Sequence, residues 1–132
     1  IKMANKLLGK KYKIYGQKIK GQGLGAQSFV PTINLKVDEF LLPNEGVYIT
    51  KTILDEQEFN SITFLGHRFT TDGSYAIETH ILDRDIEDKD YTTQIKFCEK
   101  LRENKKFDSF EELKNQILDD IKSAKNYFIN IY

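Results

Sequence analysis

The sequence predicts a mainly β chain: short antiparallel strands closed into a small barrel, with one α-helix at the C-terminal end laid against it. Three observations carry this. Five or six short segments rich in Val, Ile, Thr, Tyr and Phe alternate between apolar and polar residues, which is the period of a half-buried strand. Turn residues separate them at hairpin-like spacing, as in small all-β barrels. After Cys98 the period changes, and Phe110, Leu113, Ile117, Ile121 and Phe128 recur at steps of three and four, the stripe of an amphipathic helix.

In chain order, residues 1–10 form a short lead-in anchored by Met3, Leu7 and Leu8. Tyr12 to Lys20 sets Tyr12, Ile14 and Ile19 against Lys11, Lys13, Lys18 and Lys20, with Gly16 marking a bend or bulge. Next comes Gly21-Gln22-Gly23-Leu24-Gly25, whose alternate glycines hold neither helix nor strand but let backbone N–H groups approach an anion closely. Behind it Pro31 fixes the chain, and Thr32 and Asn34 fall on one side of an extended segment. A hydroxyl and an amide oxygen side by side suit a hard cation such as Mg²⁺. A plain Gly-rich surface turn ending at a proline fits the same residues.

Leu41 to Gly46 is a turn delivering the strand Val47–Ile53. Asp55-Glu56-Gln57-Glu58 is a hairpin tip, and Phe59–Leu65 returns to Gly66. The polar loop His67–Ser74 precedes a strand Tyr75–Leu82. A charged loop, Asp83–Asp90, leads to a last strand, Tyr91–Phe97. Ser109 followed by Glu112 fits a capping box, so the helix is placed at 109–128 and the barrel at 11–98.

Composition bounds the function classes. A chain of 132 residues is long enough for one domain, 1–132, that buries roughly two thirds of its unfolded surface. Twenty basic residues balance twenty acidic ones, so no overall field steers it to nucleic acid or an anionic membrane. Barrel binding of single-stranded nucleic acid through the Tyr–Lys strand at Tyr12–Lys20 is the weakest reading for that reason. The single cysteine, Cys98, forms no internal disulfide, and no apolar run approaches spanning length. The expectation is a cytoplasmic protein without membrane or nucleic-acid partners. The start at Ile1 reads as a piece of a longer protein.

Several residues could carry chemistry. On the strand Tyr75–Leu82, alternation puts Tyr75, Ile77, Thr79 and Ile81 on one face and Ala76, Glu78, His80 and Leu82 on the other. Glu78 is then either solvated or, if its face lines a cleft, a rigidly held general base. Arg68 is a surface residue or a phosphate contact. Arg102 and Glu103, between last strand and helix, lie either in a solvated linker or in a flap over a polar ligand.

The order Gly-rich loop, Pro31-Thr32-Ile33-Asn34-Leu35, Leu41-Leu42-Pro43 with Gly46-Val47-Tyr48, Gly66 with Arg68, Glu78 with His80-Ile81-Leu82-Asp83, and Leu101-Arg102 with Lys105-Lys106-Phe107 and Ser109 resembles the riboflavin kinase family. The start, Leu8-Gly9-Lys10-Lys11-Tyr12 and Gly16, resembles the kinase module of bacterial bifunctional riboflavin kinase/FMN adenylyltransferases. The resemblance implies a six-stranded antiparallel barrel with a C-terminal helix. It also implies transfer of the γ-phosphoryl of ATP to the ribityl 5′-hydroxyl of riboflavin, giving FMN and ADP. In that reading Gly21, Gly23, Gly25, Pro31, Thr32 and Asn34 bind the nucleotide, and Thr32 and Asn34 also hold Mg²⁺. Glu78 is the base, while Arg102, Glu103 and Arg68 contact riboflavin. The resemblance also implies that an FMN adenylyltransferase domain precedes the module in the native chain. A flavin-binding or regulatory module with impaired catalysis is the alternative. Phe29 and Ile33 replace smaller residues of the family's signature and add bulk beside the phosphate site, and Phe69 and Thr92 depart from it elsewhere.

Overall fold

The computed structural model describes residues 12–19, 32–36, 42–68, 73–86 and 91–130, with backbone only for 12–19. The Gly21–Gly25 loop, Pro31, Phe29 and the lead-in 1–10 lie outside the described residues.

The chain is mainly β with one C-terminal helix. The strands are β1 (Tyr12–Ile19), β2 (Ile33–Lys36), β3 (Gly46–Leu54), β4 (Gln57–His67), β5 (Tyr75–Ile81) and β6 (Thr92–Arg102), followed by α1 (Phe110–Asn130). All pairings are antiparallel, in the order β1-β2-β5-β4-β3-β6, and β6 pairs in turn with β1. Asp55 and Glu56 make the β3–β4 turn with positive φ values of 48° and 75°.

Two apolar layers follow from the alternation. The inner face of the sheet gathers Ile33, Leu35, Tyr48, Leu54, Phe59, Leu65, Ile77, Ile81, Ile95 and Phe97. Tyr48 and Phe97 meet edge-to-face with ring centroids 5.1 Å apart. The outer face of β3, β4 and β6 carries Val47, Ile49, Ile62 and Cys98 against Ala124 and Phe128 of α1. Strand β3 is thus buried on both faces over Val47-Tyr48-Ile49, which is why its apolar run is continuous there.

Between the inner apolar residues runs a chain of five fully buried hydroxyls. Thr52 bonds Ser61 at 2.7 Å, Ser61 bonds Thr50 at 2.7 Å, Thr50 bonds Thr63 at 2.9 Å, and Thr63 bonds Thr79 at 2.7 Å. Each hydroxyl satisfies the next, so threonines that suit a strand are tolerated in an interior where an unpaired one would cost stability. Among the described residues no buried side-chain polar atom lacks a partner.

Two expectations change. The last strand does not stop at Phe97 but runs on to Arg102. Pairing continues past register shifts between Val47 and Tyr48 and between Ile49 and Thr50, and such irregularities disrupt the simple alternation used to place its end. Ile33 is only 8% exposed and packs into the inner cluster, so its bulk serves the core.

Candidate functional site

The face of β2 and β5 turned away from the core brings the chemistry-bearing residues together. Asn34 on β2 stands directly across from Glu78 on β5, and Ile33 pairs with Thr79 beside them. Because paired residues share a face, burying Ile33 and Thr79 inward sets Asn34 and Glu78 side by side outward. Thr32 is half-buried just before β2. Strand β5 buries Ile77, Thr79 and Ile81, so the outward face of Glu78 is the non-core one.

Glu78 is nevertheless not simply solvated. Its side chain is 19% exposed and is clamped by Arg68, itself 11% exposed. Arg68 Nε donates to Glu78 Oε1 at 2.8 Å and Nη2 lies 2.5 Å from the same oxygen. The same Nη2 donates to Asn34 Oδ1 at 3.3 Å, and Nη1 reaches Ser74 Oγ at 3.4 Å. The backbone fixes the arginine's base: Arg68 N–H donates to the Ser74 carbonyl at 2.9 Å, and Gly73 N–H donates to the Arg68 carbonyl at 3.0 Å. Gly73 takes φ +76°, the left-handed conformation that glycine enters without penalty. Among the described residues, three elements converge on this guanidinium: β2, β5 and the loop after β4.

Arg102 and Glu103 are elsewhere. Arg102 turns to the helix, where Nε donates to both oxygens of Asp120 at 3.0 Å and Nη2 lies 2.8 Å from Oδ2. Asp120 is 4% exposed and takes a further bond from Gln116 Nε2 at 2.9 Å. Glu103 is exposed and pairs with Lys100 at 2.7 Å. Sequence reading missed the Arg68–Glu78 clamp, because a loop residue meets a strand residue ten positions on and no periodicity reports that. Asp120 was legible only as a polar interruption of the helical stripe.

The donor set fits a hard cation only in a particular way. Thr32 and Asn34 offer neutral oxygens, of the kind Mg²⁺ accepts beside substrate phosphates. Among the described residues no group of three or more His, Cys, Asp or Glu could hold a metal by itself. Among the described residues, Thr32 and Asn34 would hold such a cation only together with further ligands, such as phosphate oxygens or water.

A carboxylate and an amide oxygen on one sheet face, with a guanidinium laid over them from a loop, are groups with which a protein binds an anionic ligand and accepts a proton. The chain belongs to the riboflavin kinase family: the family model described as flavokinase, riboflavin kinase, matches residues 8–128. It is 36% identical over 130 residues to a bifunctional riboflavin kinase/FMN adenylyltransferase of Haemophilus influenzae, covering 97% of this chain and 42% of that protein. It is 32% identical over 127 residues to a trifunctional protein RibF/MnmA of Mycoplasmoides gallisepticum, covering 95% of this chain and 19% of that one. A solved structure described as a macrolide-efflux protein from Streptococcus pneumoniae superposes with a TM-score of 0.81 at 27% identity, over 96% of this chain and 42% of that one. Here no described helix is long and apolar enough to cross a membrane. The chain spans about two fifths or less of the length of these relatives.

Proposed function

We propose that this chain is a riboflavin kinase module that transfers the γ-phosphoryl group of ATP to the ribityl 5′-hydroxyl of riboflavin, yielding FMN and ADP. Family membership over residues 8–128 supports the reaction, and the placement of Glu78 beside Asn34 under Arg68 is the observation that carries the mechanism. Phosphoryl transfer asks a protein for positioning, charge neutralisation and a proton acceptor.

In this reading Glu78 is the base. Arg68 engages Oε1 and orients the carboxylate, which takes the hydroxyl proton. The ribityl oxygen then bonds to the γ-phosphorus, the bond from that phosphorus to the β–γ bridging oxygen breaks, and ADP departs. Thr32 and Asn34 would hold Mg²⁺ together with the nucleotide phosphates, and the ion would supply charge to offset the phosphoryl oxygens. Nucleotide binding is assigned to Gly21, Gly23, Gly25 and Pro31, which lie outside the described residues, together with Thr32 and Asn34, and the riboflavin side to Arg68, Arg102 and Glu103. Because Arg102 is bonded to Asp120, its contribution to that side is to hold the segment carrying Glu103. The strand ring with its helix is the six-stranded closed barrel of the family, one domain over 1–132. The full-length protein is cytoplasmic and also an FMN adenylyltransferase, the second activity in the name of its bifunctional relatives.

The test is direct. Purified protein supplied with Mg-ATP and riboflavin forms FMN and ADP in equal amounts, resolved by chromatography. Riboflavin binding without FMN formation at any enzyme concentration contradicts the proposal.

A further inference from the structure

One carboxylate oxygen outside the Glu78 site gathers an unusual set of donors. Glu45 Oε1, in the turn before β3, accepts the backbone N–H of His67 at 2.6 Å. It also lies 3.1 Å from His67 Nδ1 and accepts from Asn104 Nδ2 at 3.2 Å. Asn104 Nδ2 donates in addition to the His67 carbonyl at 2.9 Å. Three segments distant in sequence, at Glu45, His67 and Asn104, are thereby tied at a point. Gly66 makes the approach possible: its φ is +144°, and a Cβ there would lie 2.4 Å from Glu45 Oε1 and 2.9 Å from Asn104 Nδ2. The ring of His67 rests edge-on against Tyr75, the first residue of β5, at 5.2 Å.

What adjoins this clasp gives it a consequence. Arg68, the residue after His67, grips Glu78 and Asn34, while Glu103 and Arg102 immediately precede Asn104. We propose that Glu45 is a positioning residue, a clasp that fixes the Arg68–Glu78 pair relative to the 102–104 segment and so aligns the acceptor hydroxyl with its base. This rests on the kinase reading above. Burial pushes the Glu45 carboxyl up, but the hydrogen bonds from the His67 backbone, the His67 ring and Asn104 outweigh it and leave the group below its ordinary pKa. That is the behaviour of a carboxylate whose neighbours are arranged around its charged form.

A clasp that joins two half-sites acts on their alignment more than on the affinity of either. Misplacement of reacting groups by about 1 Å can cost about a hundredfold in rate. Glu45→Ala should therefore lower kcat by about ten- to a hundredfold while the KM for ATP and for riboflavin each move less than about threefold. Glu45→Gln, which keeps an acceptor oxygen for the His67 N–H, should restore most of kcat. Asn104→Ala should reproduce the Glu45→Ala loss in part, and the double variant should be no worse than Glu45→Ala alone, since both remove one unit.

The second readout needs no turnover: amide hydrogen exchange at His67 and Arg68 should quicken in Glu45→Ala and not in Glu45→Gln. Unchanged exchange, or a kcat in both single alanine variants within twofold of the wild type, overturns the clasp. If Glu45→Ala does not fold, Asn104→Ala decides by the same two measurements. If the wild type forms no FMN, the kinase reading fails, and faster exchange with no catalytic effect leaves Glu45 a purely structural tie, which also overturns the positioning role.

Discussion

Replacing Arg102 by alanine strands the carboxylate of Asp120 inside the β6–α1 interface. Asp120 is 4% exposed and receives three guanidinium contacts at 2.8–3.0 Å, with Gln116 as its other bonded partner. Breaking a fully buried pair on one side costs about 3–5 kcal/mol. Arg102 is 19% exposed, so water can reach the vacated space, and Gln116 keeps one bond, which brings the expectation to about 2–3 kcal/mol. With about 2.1 cal/mol/K of unfolding entropy per residue over 132 residues, that lowers Tm by about 7–11 °C. Differential scanning calorimetry measures it. The paired replacement Arg102→Met with Asp120→Leu should recover stability to within about 1 kcal/mol of wild type, because no charge is left unpartnered. A Tm drop under about 2 °C in Arg102→Ala would refute the assignment of Arg102 to the helix and return it to direct contact with ligand.

Further outcomes follow from other contacts. Gly66→Ala puts a Cβ 2.4 Å from the Glu45 carboxylate at φ +144°, and urea denaturation should show a loss of about 2 kcal/mol or more. Thr63→Val cuts the inner hydroxyl chain and takes away the bond Thr79 makes to it, costing about 1–3 kcal/mol by the same measurement with little change in shape. Glu45 titrates below its ordinary 4.5 in the folded state, so its contribution to stability is present above that pH and is lost as pH falls through the lower folded value. Urea midpoints taken stepwise below about pH 4.5 should accordingly fall less steeply in Glu45→Gln than in wild type.

Elements with a clear period could be read from the residues. Ser109 and Glu112 set the start of α1 as a capping pair, with Glu112 N–H donating to Ser109 Oγ at 3.2 Å and Asp108 N–H donating to Glu112 Oε2 at 3.2 Å. Alternation places the strand around Glu78 and separates Ile77, Thr79 and Ile81 from it, and the structure shows that set to be the buried one. Alternation names two faces but not what covers them. It offered Glu78 as solvated or in a cleft, whereas an arginine from the preceding loop lies over it. The same limit hid Asp120 and Glu45, whose partners Arg102, His67 and Asn104 lie 18 to 59 residues away and are chosen by the fold. The end of β6 was misplaced because register shifts within its pairing to β3 interrupt the period of two. The glycine loop and Pro31 lie outside the described residues, so their place in a nucleotide site belongs to the proposal.

The central claim is that Glu78 accepts the proton of the attacking hydroxyl, and Glu78→Gln tests it most directly. The amide is nearly isosteric and can still accept a hydrogen bond from Arg68, so riboflavin binding, followed by flavin fluorescence, should stay within a few-fold of wild type. FMN formation in single-turnover mixing with Mg-ATP should fall by about two orders of magnitude or more, the scale of a lost general base. Wild-type turnover in the variant with binding intact would contradict the account.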